Sequence, residues 1–164
     1  MIGLEYAKSL YEVHPNTKTC LDEFNAFMNF YNELSPVMKS PSISNLDKHN
    51  IIKNSLKNYT NEFIYFLYVI IDNDRFSNLN EIYSEFVKIY NRENNIALCD
   101  CYTNKKISDK EKKEIIKFLE KEFNKSIELN EVVDSNYLGI KLVCENKTID
   151  YTIESRINNM SLSI

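Results

Sequence analysis

The sequence predicts an α plus α+β protein: an N-terminal bundle of five or six helices over residues 1–93, then a small C-terminal domain of order βαβββα over residues 96–164. Three observations predict it. Up to about residue 93 the apolar side chains recur at helical spacing. After the polar, unpatterned stretch NRENNIA at 91–97, which reads as a linker, alternation with a period of two takes over. Two capping-box patterns, Asn78 with Glu81 and Ser108 with Glu111, mark helix starts on either side of that switch.

The first helix covers about 3–13, with Leu4, Ala7 and Tyr11 on one side and Tyr6, Leu10 and Val13 near the other. Cys20, Phe24, Phe27, Tyr31 and Leu34 form a single stripe on a second helix, which Pro36 is expected to end. Leu46, Ile52, Leu56 and Tyr59 form a shorter stripe after Pro41. An apolar run occupies 61–73, and the box at Asn78 opens a helix with Ile82, Phe86, Ile89 and Tyr90 facing inward.

In the second half IALCDCY is a strand, and the box at Ser108 opens a helix with Ile115, Leu119 and Phe123 one turn apart. Ile127, Leu129 and Val133 alternate in the next strand, and Ile140, Leu142 and Cys144 in the one after it. ENK then makes a turn, TID a return strand, and Asp150 is expected to cap a final helix from about Tyr151 to the end. Gly139, one of two glycines in the chain, enters a strand after the turn-forming DSN. Lacking a Cβ, it allows a left-handed turn or a close backbone approach, and the expectation is that it positions a hairpin. A lone glycine with no helix start behind it makes no anion cradle.

Twenty basic and 24 acidic residues give a net charge of −4 with no basic cluster, which argues against nucleic acid as a partner. No export signal is recognisable, so the chain is expected to start at Met1, to work in a reducing compartment and to keep Cys20, Cys99, Cys101 and Cys144 as free thiols. FIYFLYVII at 63–71 is about half of the roughly 20 residues a membrane span needs, so the expectation is a soluble or peripheral protein.

Catalytic chemistry finds little purchase. His14 precedes Pro15 at a helix end, where an imidazole ordinarily meets carbonyls, and His49 lies mid-helix among lysines and asparagines. Cys99 and Cys101 share a strand face and make half a zinc site at most, with no second ligand pair at suitable spacing; buried apolar thiols are the plainer reading. The carboxylate pairs Asp72/Asp74 and Glu111/Glu114 read as caps and solvated surface.

One feature exceeds what a bundle needs. From Phe63 to Ile71 apolar residues cover every face of the helix, where a stripe would suffice. Either this helix sits at the centre of the bundle, touched all round, or it and the first helix leave a groove for an amphipathic helix from another protein.

YAKSLYEV near the N-terminus, IIDNDRFSNLNEIYSEFVKIYN closing the helical half and VVDSNYLGIKLVCENKTIDYTIESRINNM at the end together resemble the delta subunit family of bacterial F-type ATP synthase, the counterpart of the mitochondrial oligomycin-sensitivity-conferring protein. The resemblance spans nearly the whole chain. It is strongest at both ends and weak between about 14 and 58.

The resemblance implies a non-catalytic subunit without cofactor or metal, present as a monomer in one copy per complex. Such a subunit joins the catalytic head to the peripheral stalk at the cytoplasmic face of the bacterial plasma membrane, with membrane association through the complex only. In that family the helical domain receives N-terminal helices of the alpha subunits between its first and fifth helices. Carried over, those positions are Tyr6, Ser9, Leu10 and Val13, with Phe66, Val69 and Ile70 opposite.

The resemblance further places stalk subunit b against the C-terminal domain near Gly139 and the final helix, with Ile153 and Ile157 as contacts. The chain departs from the family in having a single glycine where a pair is usual, and DYT where Asp-x-Ser is commoner. Two other readings remain open from the residues: a helical adaptor of another ATPase-like complex, and a small thiol- or metal-dependent enzyme using Cys99, Cys101 and a histidine.

Overall fold

The computed structural model describes residues 2–135 and 137–151, so the expected final helix, with Ile153 and Ile157, lies outside the described residues. The chain divides into two compact units, Met1–Tyr90 and Asn91–Ile164.

The first unit is built from α1 (Ile2–Val13), α2 (Thr17–Met38), α3 (Asn45–Ser55), α4 (Asn61–Asp72), a single 3₁₀ turn (Phe76–Asn78) and α5 (Leu79–Glu93). Side chains start three of these helices: Asn16 accepts from the Thr19 amide at 3.0 Å, Ser44 from Asp47 at 3.2 Å and Thr60 from Phe63 at 3.4 Å. The α2 stripe packs as its spacing predicts, with Cys20, Phe24, Phe27 and Tyr31 buried. Phe24 meets Phe63 of α4 edge-on at 5.4 Å and lies 5.9 Å from Phe86 of α5, so one ring couples three helices. Ile82, Phe86, Ile89 and Tyr90 face inward.

Several local expectations are corrected. Pro36 does not end α2; it sits inside the last turn, where only one intrahelical bond is lost before the helix stops. Leu46 is 70% exposed, because the short α3 turns only Ile52 and the aliphatic stem of Lys48 inward, and Tyr59 falls beyond its end. The linker read at 91–97 shrinks to Asn94 and Asn95, since α5 continues to Glu93 and the next strand begins at Ile96. Asn78 closes the 3₁₀ turn and forms no capping box. The Glu81 carboxylate accepts from the Asn78 side chain at 3.4 Å and also from the Gly3 amide of α1 at 3.2 Å, where a Cβ on Gly3 would stand 2.7 Å from the Glu81 side chain.

The second unit comprises β1 (Ile96–Thr103), α6 (Asp109–Phe123), β2 (Ser126–Val133), β3 (Ile140–Cys144) and β4 (Lys147–Asp150). It is a β-α-β-β-β arrangement over the described residues, with sheet order β2-β1-β3-β4. β1 and β2 run parallel, joined by α6, while β1/β3 and β3/β4 are antiparallel. The Ser108/Glu111 capping box is present in full. Leu119 of α6 is fully buried against Cys99, Cys101, Leu129 and Leu142. Val133, at the last position of β2, is exposed rather than in the core.

One further correction concerns this unit. The 134–139 loop does not form a hairpin, because β2 and β3 flank β1 on opposite sides and the loop crosses the end of β1. Gly139 within it has φ 129°, a conformation L side chains rarely adopt. Cys99 and Cys144 are register partners with Cα atoms 4.2 Å apart, so their thiols meet across β1 and β3, while Cys20 and Cys101 are free and buried. A pairing across 45 residues depends on strand register, which the spacing of the cysteines does not reveal.

Candidate functional site: an apolar groove between α1 and α4

α1 is amphipathic twice over. Ala7 and Leu10 point into the core and Gly3 is buried beneath Glu81, while Val13 is 72% exposed and Tyr6 is half-buried. α4 buries Phe63, Leu67, Ile70 and Ile71, yet leaves Tyr65 62% and Val69 48% exposed. The possibility that α4 is covered all round is thereby excluded: residues 65 and 69, one turn apart, form an open apolar row.

A cavity of ≈ 350 Å³ lies along that row. Tyr6, Ser9, Leu10 and Val13 of α1 line one wall, and Phe66 and Val69 of α4 the other. Glu62 and Tyr65 also line it, and the sequence reading passed over both. Their signal was present in the spacing, since 62, 65/66 and 69 share one helical face. Ile70 does not line the groove. Being about 100° further round the helix than Val69, it is fully buried in the core. The wall it was assigned to is the fourth α-helix of this chain rather than the fifth.

One end of the groove is fastened by a buried polar cluster. His14 directly follows Val13, and Thr60 directly precedes α4. His14 Nε2 lies 2.9 Å from Thr60 Oγ1, while Nδ1 accepts the Asn16 amide at 3.2 Å, which makes the ring the Nε2–H tautomer. Glu23 of α2 accepts both the Thr60 amide (2.6 Å) and its hydroxyl (2.7 Å). His14 is therefore a buried clamp between helix ends, not a side chain turned to terminal carbonyls. At the far end Arg75 N donates to Ile70 O (2.8 Å) and Asp74 N to Ile71 O (3.0 Å), a Schellman closure with Asp74 in the left-handed region at φ 54°.

The second unit carries its own apolar cavity, ≈ 460 Å³, between α6 and β3. Phe118 and Tyr151, both about half exposed, line it with Ile115, Gly139 and Leu142. Of the positions expected to meet a stalk subunit, Gly139 lines this cavity, and Ile153 and Ile157 lie outside the described residues.

The residues weighed for catalysis have other occupations. His49 stacks on Tyr68 at 4.2 Å, its Nε2 3.0 Å from Asp72 Oδ1. Burial, with Glu23 adding to it, pushes the Cys20 thiol up to about 12; burial and Glu131 raise that of Cys101 as well, so neither offers a ready thiolate. Among the described residues no cluster of His, Cys, Asp or Glu is placed to hold a metal ion, and no helix is long and apolar enough to cross a membrane.

A family model described as ATP synthase delta (OSCP) subunit matches residues 2–164. ATP synthase subunit delta of Vesicomyosocius okutanii is 27% identical over all of this chain and 96% of that protein. The Clostridioides difficile protein of the same name is 27% identical over 98% of this chain and 93% of its own length. That of Bacillus thuringiensis is 28% identical over 96% and 92%. In fold, the chain superposes with a TM-score of 0.70 on one from the cryo-electron microscopy structure of the Toxoplasma gondii mitochondrial ATP synthase hexamer, covering 99% of this chain and 97% of that one at 14% identity. The chain belongs to the ATP synthase delta (OSCP) subunit family, the non-catalytic peripheral-stalk subunits that link head and stalk in F-type ATP synthase.

Proposed function

We propose that this chain receives amphipathic N-terminal helices of the alpha subunits in the α1/α4 groove and the end of stalk subunit b at the α6/β3 cavity. It acts as one monomer per complex, held at the cytoplasmic face of the bacterial plasma membrane through its partners. In this reading the working domains are residues 1–93 and 96–164. The observation that carries the head contact is the open row of Val13, Tyr65 and Val69 above a groove floored by the buried Leu10.

The joint is mechanical. Rotor torque is resisted by a non-covalent clamp whose strength comes from apolar burial, at roughly 25 cal/mol per Å² before association costs are subtracted. α4 has 12 residues and is about 18 Å long, enough to seat about three turns of an incoming helix. An amphipathic partner offers an apolar stripe to Tyr6, Val13, Phe66 and Val69 and polar residues toward Ser9 and Glu62. The clamp from His14 through Thr60 to Glu23 holds the two walls at one end, so the groove is preformed and little ordering accompanies docking.

The test is co-purification of the tagged full chain from native membranes, with bound chains identified by mass spectrometry. Alpha and b subunits are expected in stoichiometric amounts. Recovery of the chain with neither would refute the proposal.

A further inference from the structure

Cys99 of β1 and Cys144 of β3 stand opposite each other in the antiparallel ladder, on the sheet face that packs against α6. Their Cα atoms are 4.2 Å apart. That is nearer the about 4.5 Å of a pair exchanging no ladder hydrogen bonds than the about 5.5 Å of a pair that does, and in the closer kind the side chains approach most nearly. It also lies beside the lower end of the span a disulfide bridges, usually about 4.4–6.8 Å. Both residues are 1% exposed.

A single buried thiol packs as a small apolar side chain, and Cys20 and Cys101 are of that kind. Cys101 follows Cys99 on the same face of β1, but its register partners are Leu142 in β3 and Glu131 in β2. Register therefore singles out one pair among the cysteines. Between its members run α6, β2 and the 134–139 loop, a separation of 45 residues. A bond here closes most of the second unit into one loop, and long loops are where a cross-link removes most freedom from the unfolded chain. The same bond ties β3, which lines the α6/β3 cavity with Ile140 and Leu142, to the interior strand β1.

We propose that Cys99 and Cys144 form a thiol–disulfide modification site, oxidised by a small-molecule disulfide of the glutathione class. One cysteine thiolate attacks the reagent's disulfide, giving a mixed disulfide and releasing one small thiol. The second cysteine thiolate attacks the first cysteine's sulfur in that mixed disulfide and releases the other small thiol. The protein gives up two electrons and two protons, and the reagent is reduced to two thiols. Because both sulfurs are buried, exchange passes through opening at the sheet edge, where β4 has 4 residues and pairs with no further described strand. The bond forms and breaks slowly, so the second unit has two long-lived states of different stability.

The experiment uses the full chain, reduced, freed of reductant and incubated to a constant end point in oxidised and reduced glutathione, beside a sample kept in dithiothreitol. In glutathione the intact mass should fall by two hydrogens, and peptide mapping should join Cys99 to Cys144 while Cys20 and Cys101 remain open to alkylation after denaturation. The melting transition of the second unit should rise by at least about 5 °C and return on reduction. Cys101→Ala should keep both changes and Cys144→Ala should lose them; mapping on the parent chain decides the matter even where a variant folds poorly. The proposal is overturned if Cys99 and Cys144 stay open to alkylation, if only adducts with glutathione accumulate, or if the bond that forms involves Cys20 or Cys101. It is also overturned if Cys99 and Cys144 are joined without moving the melting transition.

Discussion

Val69→Asp separates docking from folding. Val69 is 48% exposed on α4 and lines the groove, so in the free chain a carboxylate at this position reaches water. The fold should lose no more than about 1 kcal/mol, a melting shift of about 2–4 °C for a chain of this size. Under a docked helix the balance differs. The open part of a half-exposed valine is on the order of 70 Å² of apolar surface, worth about 2 kcal/mol on burial at ~25 cal/mol per Å². An unpaired carboxylate trapped beneath the partner adds at least ~1–3 kcal/mol.

The sum, about 3–5 kcal/mol, corresponds to a loss of affinity of at least about a hundredfold. Calorimetric titration of the full chain with a peptide spanning the alpha-subunit N-terminus measures it. Leu46→Asp supplies the control, since Leu46 is 70% exposed on α3 and is not a groove residue. An intact melting curve for Val69→Asp with affinity within about threefold of the parent would refute the reasoning.

Three predictions concern what positions the groove and the sheet. Thr60→Val removes the cap of α4 and the hydroxyl between His14 and Glu23, and should cost about 2 kcal/mol, read as a lower denaturant midpoint at unchanged slope; a loss under about 0.5 kcal/mol contradicts the clamp. Gly139→Ala should destabilise the second unit by about 1–3 kcal/mol through its φ of 129°; equal stability would show that the loop relaxes freely. Bonds from the Ser108 side chain and then its amide hold the Glu111 carboxyl below its ordinary value of 4.5. Its contribution is therefore complete above that value and fades as pH falls through the depressed folded value. Ser108→Ala should flatten that part of the acid-unfolding profile, and an unchanged profile would count against it.

Much of the architecture was legible because it rests on local chemistry. The stripe from Cys20 to Tyr31 and the box at Ser108 and Glu111 are decided within a few turns of chain, and both stand in the structure. What escaped the sequence depends on distant partners. Glu81 keeps a side-chain bond to Asn78 and turns its other carboxylate oxygen to the Gly3 amide, 78 residues away. The Gly139 loop is not a hairpin because β1 comes between β2 and β3, and the same strand order brings Cys99 opposite Cys144.

The groove shows both sides of this. Apolar residues on every face of α4 announced an excess of hydrophobic surface, yet only packing against the other helices decides which face stays open. That is why Ile70 is interior and Tyr65 is not. The clamp made by His14, Thr60 and Glu23 was invisible for the same reason: its members come from three separate stretches of chain.

The central claim is that the face shared by α1 and α4 is completed by a helix from the catalytic head. A photo-reactive amino acid at position 69 of the full chain, activated in native membranes and mapped by mass spectrometry, tests it most directly. The account predicts adducts to N-terminal residues of an alpha subunit and none from a probe at position 46. Adducts confined to this chain's own residues, or equal labelling from both positions, would contradict it.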